Sequence, residues 1–460
     1  MHAKKLVRAA AAATASIAIA ASAVGCADST DDAAPTDAAA RNLAGTLADG
    51  STYKIEVPAN WNGTLLLYSH GYNPGPANPA RDAGSVEVSE KLLSRGYALA
   101  GGSYPGIGWQ TPDALNSQIA TLDEFTAQVE SPRRVIAWGE SMGGEITSLL
   151  AERNQDKIDG AIPMCPSVTG TVPWFNTYLD GAYTLRTLLD PDGTVPLVDI
   201  TDIPAAQSYW TQLVENAQNT AEGRARLGLA ASFTTLPPWS NPETPEPADT
   251  DYAAQQLDQF HSLSTTFPLF QSAVRGDMES KAGGPFSWNT GVDYRQVYSG
   301  LGDRAKAEVD ALYKEAGLSI DDDLGALEAA PRVEPGDPQA IARMNYYVPT
   351  GSPRMPVLTV HTTGDDAVFT TLQSPYADKV RANGSEELLR QTYVAAPGHC
   401  NFTTDEVVAS IDTMDQRLST GEWPGTSPRD MNDRAAASGT DSSHFVAFEP
   451  DPLPRPELQP

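Results

Sequence analysis

Positive charge is scarce in this chain. Its 460 residues carry 31 Lys and Arg against 59 Asp and Glu, a net charge of −28 at pH 7. That balance repels phosphate backbones and anionic lipid surfaces, so it argues against nucleic acid or an anionic membrane face as partner and fits solubility outside a cell. Cysteine is nearly absent, with only Cys26, Cys165 and Cys400. Zinc-type spacing, a phosphate-cradling glycine loop and a basic aromatic patch are all missing, so neither a metal nor a cofactor is expected. Beyond the first 25 residues no apolar run is long enough to span a bilayer.

Those first residues read as an address. "MHAKKLVR" places Lys4, Lys5 and Arg8 before the uncharged "AAAAATASIAIAASAVG". A basic start, a short apolar stretch and small residues at its end describe a secretory signal over residues 1–25. Cys26 after "SAVG" resembles the lipobox of bacterial lipoproteins, with Ala23 where Leu is usual. Acylation of Cys26, giving a lipid-anchored protein, and plain secretion are the two expectations. Residues 26–50, beginning "CADSTDDAAP", hold too few apolar side chains to pack and read as a disordered tether. In an oxidising compartment Cys165 and Cys400 most simply form one disulfide, two buried free thiols being the alternative.

From residue 51 strands and helices alternate. "STYKIEVPANW" alternates like an edge strand, while "GTLLLYSH", "YALAGGSY", "RRVIAWGES" and "IDGAIPMCPS" are short apolar runs suited to burial on both faces. Helical spacing separates them, as in "SVEVSEKLLSRG" and "MGGEITSLLAER". Across residues 171–350 the strand pattern is lost in helical stretches and a Pro-rich loop. It resumes with "MPVLTVHTTGDDAV" and "LLRQTYVAAPGH" and closes on the helix "DEVVASIDTMDQRLSTG". The expected architecture is α/β: a mostly parallel, doubly wound sheet from residues 51–170 and 351–425. A helical cap over 171–350 covers the carboxyl edge of its strands, and a C-terminal extension over 426–460 ends in the irregular, Pro-rich tail "FEPDPLPRPELQP".

"GESMGGE" (139–145) lies at such a strand-to-helix junction. The G-x-S-x-G pattern alone is weak, arising by chance roughly 0.2 times in a chain of this composition. Between a buried strand and a helix it becomes a nucleophile elbow, which thrusts Ser141 above the sheet and puts a helix N-terminus beside a developing oxyanion. The Met142 backbone N–H is one candidate oxyanion donor. Tyr72, after "YSHG", is the second. A Ser hydroxyl needs a base, and His399 in "APGHCNFT" follows the last strand, in the chain order Ser…Asp…His that this arrangement requires. His70 and His361 read as structural, and His261 and His444 as surface residues. The orienting acid is Asp365 in "TGDDAV", with Asp366 the alternative. Trp174, Phe175, Tyr178, Tyr209, Trp210, Trp239 and Trp288 either line an acyl pocket or form the cap's own core. "RGD" at 275–277 carries no assigned role.

Taken together, "SHGY", "GESMGG", "HTTGDDAV" and "GHCNF" resemble the α/β-hydrolase superfamily, and are similar to secreted actinobacterial hydrolases with a large helical cap. The resemblance spans residues 51–170 and 351–425. Tannase and feruloyl-esterase relatives bond a Cys just before the nucleophile to the Cys after the His. Here Glu140 occupies that first position, so any equivalent bond must use Cys165. The resemblance implies an exported serine hydrolase acting on a small-molecule ester or acyl substrate. A peptidase, an amidase and an acyltransferase share the same machinery, and a non-enzymatic surface binding protein is the remaining alternative.

Overall fold

A computed structural model describes residues 39–439 and 443–455. The expected signal sequence and Cys26 lie outside the described residues. Six parallel strands form the centre of the molecule: β3 (Thr64–Ser69), β4 (Ala98–Gly102), β5 (Arg134–Glu140), β6 (Gly160–Met164), β7 (Val357–Gly364) and β8 (Leu389–Pro397). Antiparallel β1 (Arg41–Thr46) and β2 (Thr52–Val57) extend one side, and β9 (Phe445–Val446) the other, in the order β1-β2-β4-β3-β5-β6-β7-β8-β9. All six residues of β3 are buried, as its continuous apolar run requires. Alternate side chains serve opposite faces: Leu65 and Leu67 pack with one core, Leu66 and Tyr68 with the other. Each such Leu contributes about 2 kcal/mol by leaving water.

Two expectations fail here. β1 forms within the residues expected to be a tether, and it displaces β2 from the edge. Its sequence "RNLAGT" has little apolar alternation because it is itself a largely solvated edge, held through pairs such as Leu43↔Ile55. β9 lies in the C-terminal extension just ahead of the Pro-rich tail, and its two residues carry no readable period.

Helices α1 (Val86–Ser94), α2 (Thr111–Gln128) and α3 (Met142–Arg153) connect the first strands. Between β6 and β7 every regular element of the described chain is a helix. It runs through α4 (Thr171–Leu189), α5 (Ile203–Ala217), α6 (Ala221–Thr234), α7 (Tyr252–Ser264) and α8 (Thr266–Leu269), then a π-helical turn (Phe270–Val274) and α9 (Arg275–Ala282). α10 (Tyr294–Ser299), α11 (Asp303–Ala316), α12 (Ile320–Ala329) and α13 (Pro338–Tyr346) complete the insertion. α14 (Gln373–Ala382), α15 (Thr404–Thr420) and α16 (Pro428–Ala436) finish the fold. The insertion's apolar residues, among them Phe175, Tyr183 and Leu229, share one core with Leu65, Leu67 and Ile146 beneath. No described helix is long and apolar enough to cross a membrane.

Candidate active site

β5 ends at Glu140 and α3 begins at Met142, so the whole turn falls on Ser141, at φ 59° and ψ −125°. Such a backbone conformation is costly for a residue with a side chain and persists only where its surroundings impose it. Both flanking glycines are required. A Cβ on Gly139 would lie 2.5 Å from the Ser69 carbonyl oxygen, and one on Gly143 would overlap the same atom. Gly71, on the loop after β3, packs so closely that its Cβ position is 3.3 Å from Ser141 Cβ.

Three side chains from three strand ends meet at this turn. Ser141 Oγ lies 2.7 Å from His399 Nε2, and His399 Nδ1 lies 2.7 and 2.9 Å from the two oxygens of Asp365. With the carboxylate ionised, Nδ1–H donates to Asp365 and Nε2 is left to accept from the Ser141 hydroxyl. Asp365 Oδ1 also accepts from the backbone N–H groups of Ala367 and Val368, at 3.0 and 2.8 Å. His361 Nε2 lies 3.3 Å from Asp365 Oδ2 and 2.8 Å from the Val368 carbonyl, so this second imidazole braces the acid from below. Burial alone would raise the Asp365 carboxyl, but the charge of His399 and the hydrogen bonds of both histidines hold it well below the usual range. Burial would lower His399; the facing Asp365 carboxylate more than offsets it, leaving the imidazole above its ordinary 6.5.

Asp366, the alternative acid, turns away. Its Oδ2 accepts from the Thr266 hydroxyl at 2.6 Å, and burial pushes its carboxyl up. His70 stacks on Tyr104, with ring centroids 4.0 Å apart, and its Nδ1 lies 2.7 Å from the Gly71 carbonyl, which fixes the loop carrying Tyr72. His261 sits on α7, and His444 is largely exposed beside Glu406. Met142 directly follows Ser141 as the first residue of α3, where helical N–H groups are free of intrahelical partners. Tyr72 follows Gly71.

Cys165, immediately after β6, is bonded to Cys400, immediately after His399, with Cα atoms 5.6 Å apart. On its other side the His399 loop runs into α15, whose capping box joins the Thr403 hydroxyl to the Glu406 N–H and the Glu406 carboxylate to the Thr403 N–H. The loop is therefore tied at both ends. Among the described residues the one His/Cys/Asp/Glu group compact enough for a metal is Cys165, His399 and Cys400, and its two sulfurs are joined to each other.

Sequence reasoning missed two kinds of contact. Trp174 Nε1–H donates to the Ala367 carbonyl at 2.8 Å, and the Tyr178 hydroxyl lies 3.3 and 3.2 Å from the carbonyls of Asp366 and Ala367. α4 thus clamps the acid loop. The i, i+4 aromatic spacing of "WFNTY" was readable, but its destination was not. Phe175, Trp210 and Trp288 are buried in the insertion, while Tyr209 and Trp239 are half-buried. The second miss is Glu140, whose carboxyl burial pushes up, against the Tyr68 hydroxyl that donates to it at 3.2 Å.

Ser after β5, Asp after β7 and His after β8, on a largely parallel sheet, define the α/β-hydrolase arrangement. The chain belongs to the α/β-hydrolase superfamily. A curated relative, o-phthalyl amidase of Xanthobacter agilis, is 32% identical over 451 residues, covering 88% of this chain and 93% of the relative. No protein-family model matches the chain. Among solved structures, feruloyl esterase B of Aspergillus oryzae matches with a TM-score of 0.38 at 14% identity, over 83% of this chain and 80% of that one. An acylaminoacyl peptidase of Pyrococcus horikoshii matches with a TM-score of 0.37 at 9% identity, over 78% of this chain and 37% of that one.

Proposed function

We propose that this protein is a serine hydrolase that cleaves a carboxylic acid derivative through an acyl-enzyme on Ser141. The observation that carries the reading is the continuous contact from Ser141 Oγ through His399 to Asp365, each link 2.7 Å at its closest. His399 takes the Ser141 proton as Oγ attacks the carbonyl carbon, and the oxyanion is received by the backbone N–H groups of Met142 and Tyr72. Asp365 holds the imidazole tautomer and stabilises the imidazolium. The leaving amine or alcohol departs with the proton returned by His399. Water, activated by the same imidazole, then releases the acid and restores Ser141.

The sequence alone favours an ester. The 32% identical relative is named as an amidase and aligns over 88% of this chain, a span that must include much of the helical insertion. An amide of an aromatic carboxylic acid is therefore the first substrate class, with esters following the same path. Export, with acylation of Cys26 as a membrane anchor, remains part of the proposal; radiolabelled palmitate incorporation that is lost on Cys26→Ala tests it.

For the main reading, a fluorophosphonate should label the wild-type protein, and Ser141→Ala should abolish both labelling and turnover, a loss of about 10⁶-fold. Equal labelling of the two proteins overturns it. Turnover of aryl amides alongside p-nitrophenyl esters supports the amidase assignment, and turnover of esters alone returns it to esterase.

A further inference from the structure

One cap segment, residues 266–282, reaches the loops around Ser141 at both of its ends. At its start the Thr266 hydroxyl donates to Asp366 beside the acid loop. The π turn Phe270–Val274 then interrupts the α-helical repeat, a feature often found at functional sites. At the far end α9 presents Asp277. Its Oδ2 accepts from the Tyr72 hydroxyl at 3.1 Å and from the Trp109 backbone N–H at 2.8 Å, and its Oδ1 pairs with Lys281 Nζ at 2.9 Å. Lys281 in turn donates to the Ile107 carbonyl.

Two loops from different strand ends thus share a single carboxylate. They are also joined to each other, since the Gly108 N–H donates to the Asn73 carbonyl at 2.7 Å. The fit is close: a Cβ on Gly108, at φ 75°, would overlap Asp277 Oδ2. The second loop then passes directly over the elbow, with the Gln110 N–H 3.4 Å from Met142 Sδ.

We propose that Asp277 is a positioning residue for oxyanion stabilisation: by holding the Tyr72 hydroxyl and the Trp109 amide together, it fixes the direction of the Tyr72 backbone N–H beside Ser141. The inference rests on the reading of Ser141 as nucleophile and of Tyr72 as an oxyanion donor. It also accounts for the "RGD" tripeptide. Arg275 is fully buried, donating to the side chains of Gln271, Glu279 and Ser287 and to the Phe175 carbonyl, so the motif is not displayed to a receptor. Arg275 anchors α9 in the cap, and Asp277, two residues on, latches the core loop. A loop of Gly, Asn and Pro residues ("GYNPGP", 71–76) has little order of its own, and the carboxylate supplies it. Displacing a catalytic donor by about 1 Å costs on the order of 10²-fold in rate.

Asp277→Ala should lower kcat about 10- to 100-fold with KM within about threefold, and should weaken binding of an oxyanion-mimicking trifluoromethyl ketone by a similar factor. Asp277→Asn, whose amide oxygen can still accept a hydrogen bond, should recover most of that loss. Tyr72→Phe removes the other partner of that contact without changing a cap residue, so it carries the same test should Asp277→Ala fail to fold. Amide hydrogen exchange supplies a readout free of turnover. In Asp277→Ala it should rise about tenfold or more over 70–75 and 104–110 and stay unchanged over 365–368. Unchanged exchange in both loops, or a rise in KM with kcat and ketone affinity intact, overturns the latch. Activity surviving in Ser141→Ala overturns the nucleophile reading instead, and the exchange measurement separates the two failures.

Discussion

At the residue scale, Ser141 was legible because its requirement is geometric. Only glycine fits against the Ser69 carbonyl, so Gly139 and Gly143 write the elbow into the sequence. The sequence favoured Asp365 but left Asp366 open, since both follow the same turn and differ only in the side of the loop they face. Asp365 turns to His399, and Asp366 to Thr266. The pH dependence follows from the same geometry. In the proposed mechanism His399 acts as a base only when neutral, and the Asp365 carboxylate stabilises its protonated form. Activity should therefore be lost as pH falls through a His399 pKa above the ordinary 6.5. Asp365→Asn should move that acid limb of kcat/KM downward and lower kcat by about 10⁴-fold, the scale known for the same change in a protease triad. Asp366→Asn should cost far less. A pH–rate profile of the three proteins decides between the two acids.

Elements were legible in proportion to their burial. β3 to β6 announce themselves as apolar runs, whereas β1 and β9 are short, solvated edges whose residues record almost nothing of their pairing. The disulfide could be stated only as one of two options, because pairing depends on β6 and the His399 loop meeting at one edge of the sheet. Its closed loop spans a sequence separation of 235 residues, so removing it should release much denatured-state freedom. Cys165→Ala/Cys400→Ala should destabilise the protein by about 2–4 kcal/mol in urea titrations. The same change should lower kcat more than it raises KM, since the freed loop carries His399. A double variant with unaltered stability and kcat would show that the capping box alone holds that loop.

On the scale of the whole molecule, the alternating strand and helix pattern was enough to foresee a parallel sheet with an insertion. The packing of the insertion was not, because its helices bury one another and the sheet in a single core without a repeating signal. Nor could the tail be read. Arg455, in a Pro-rich stretch without regular structure, is buried and holds Asp180 of α4 through contacts of 2.8 and 2.7 Å, while the Tyr294 hydroxyl donates to the same carboxylate at 2.8 Å. Removing one partner of a buried pair strands the other charge. Arg455→Ala should thus cost about 3–5 kcal/mol, measured by chemical denaturation, even though it lies far along the chain from the elbow.

The account stands on one covalent event. Intact-protein mass spectrometry of the enzyme quenched during turnover of an activated aryl ester should show one added acyl group, placed by peptide mapping on the segment that contains Ser141, and none on Ser141→Ala. Turnover by the wild-type protein with no adduct under quench, or an adduct of equal yield on Ser141→Ala, would contradict it.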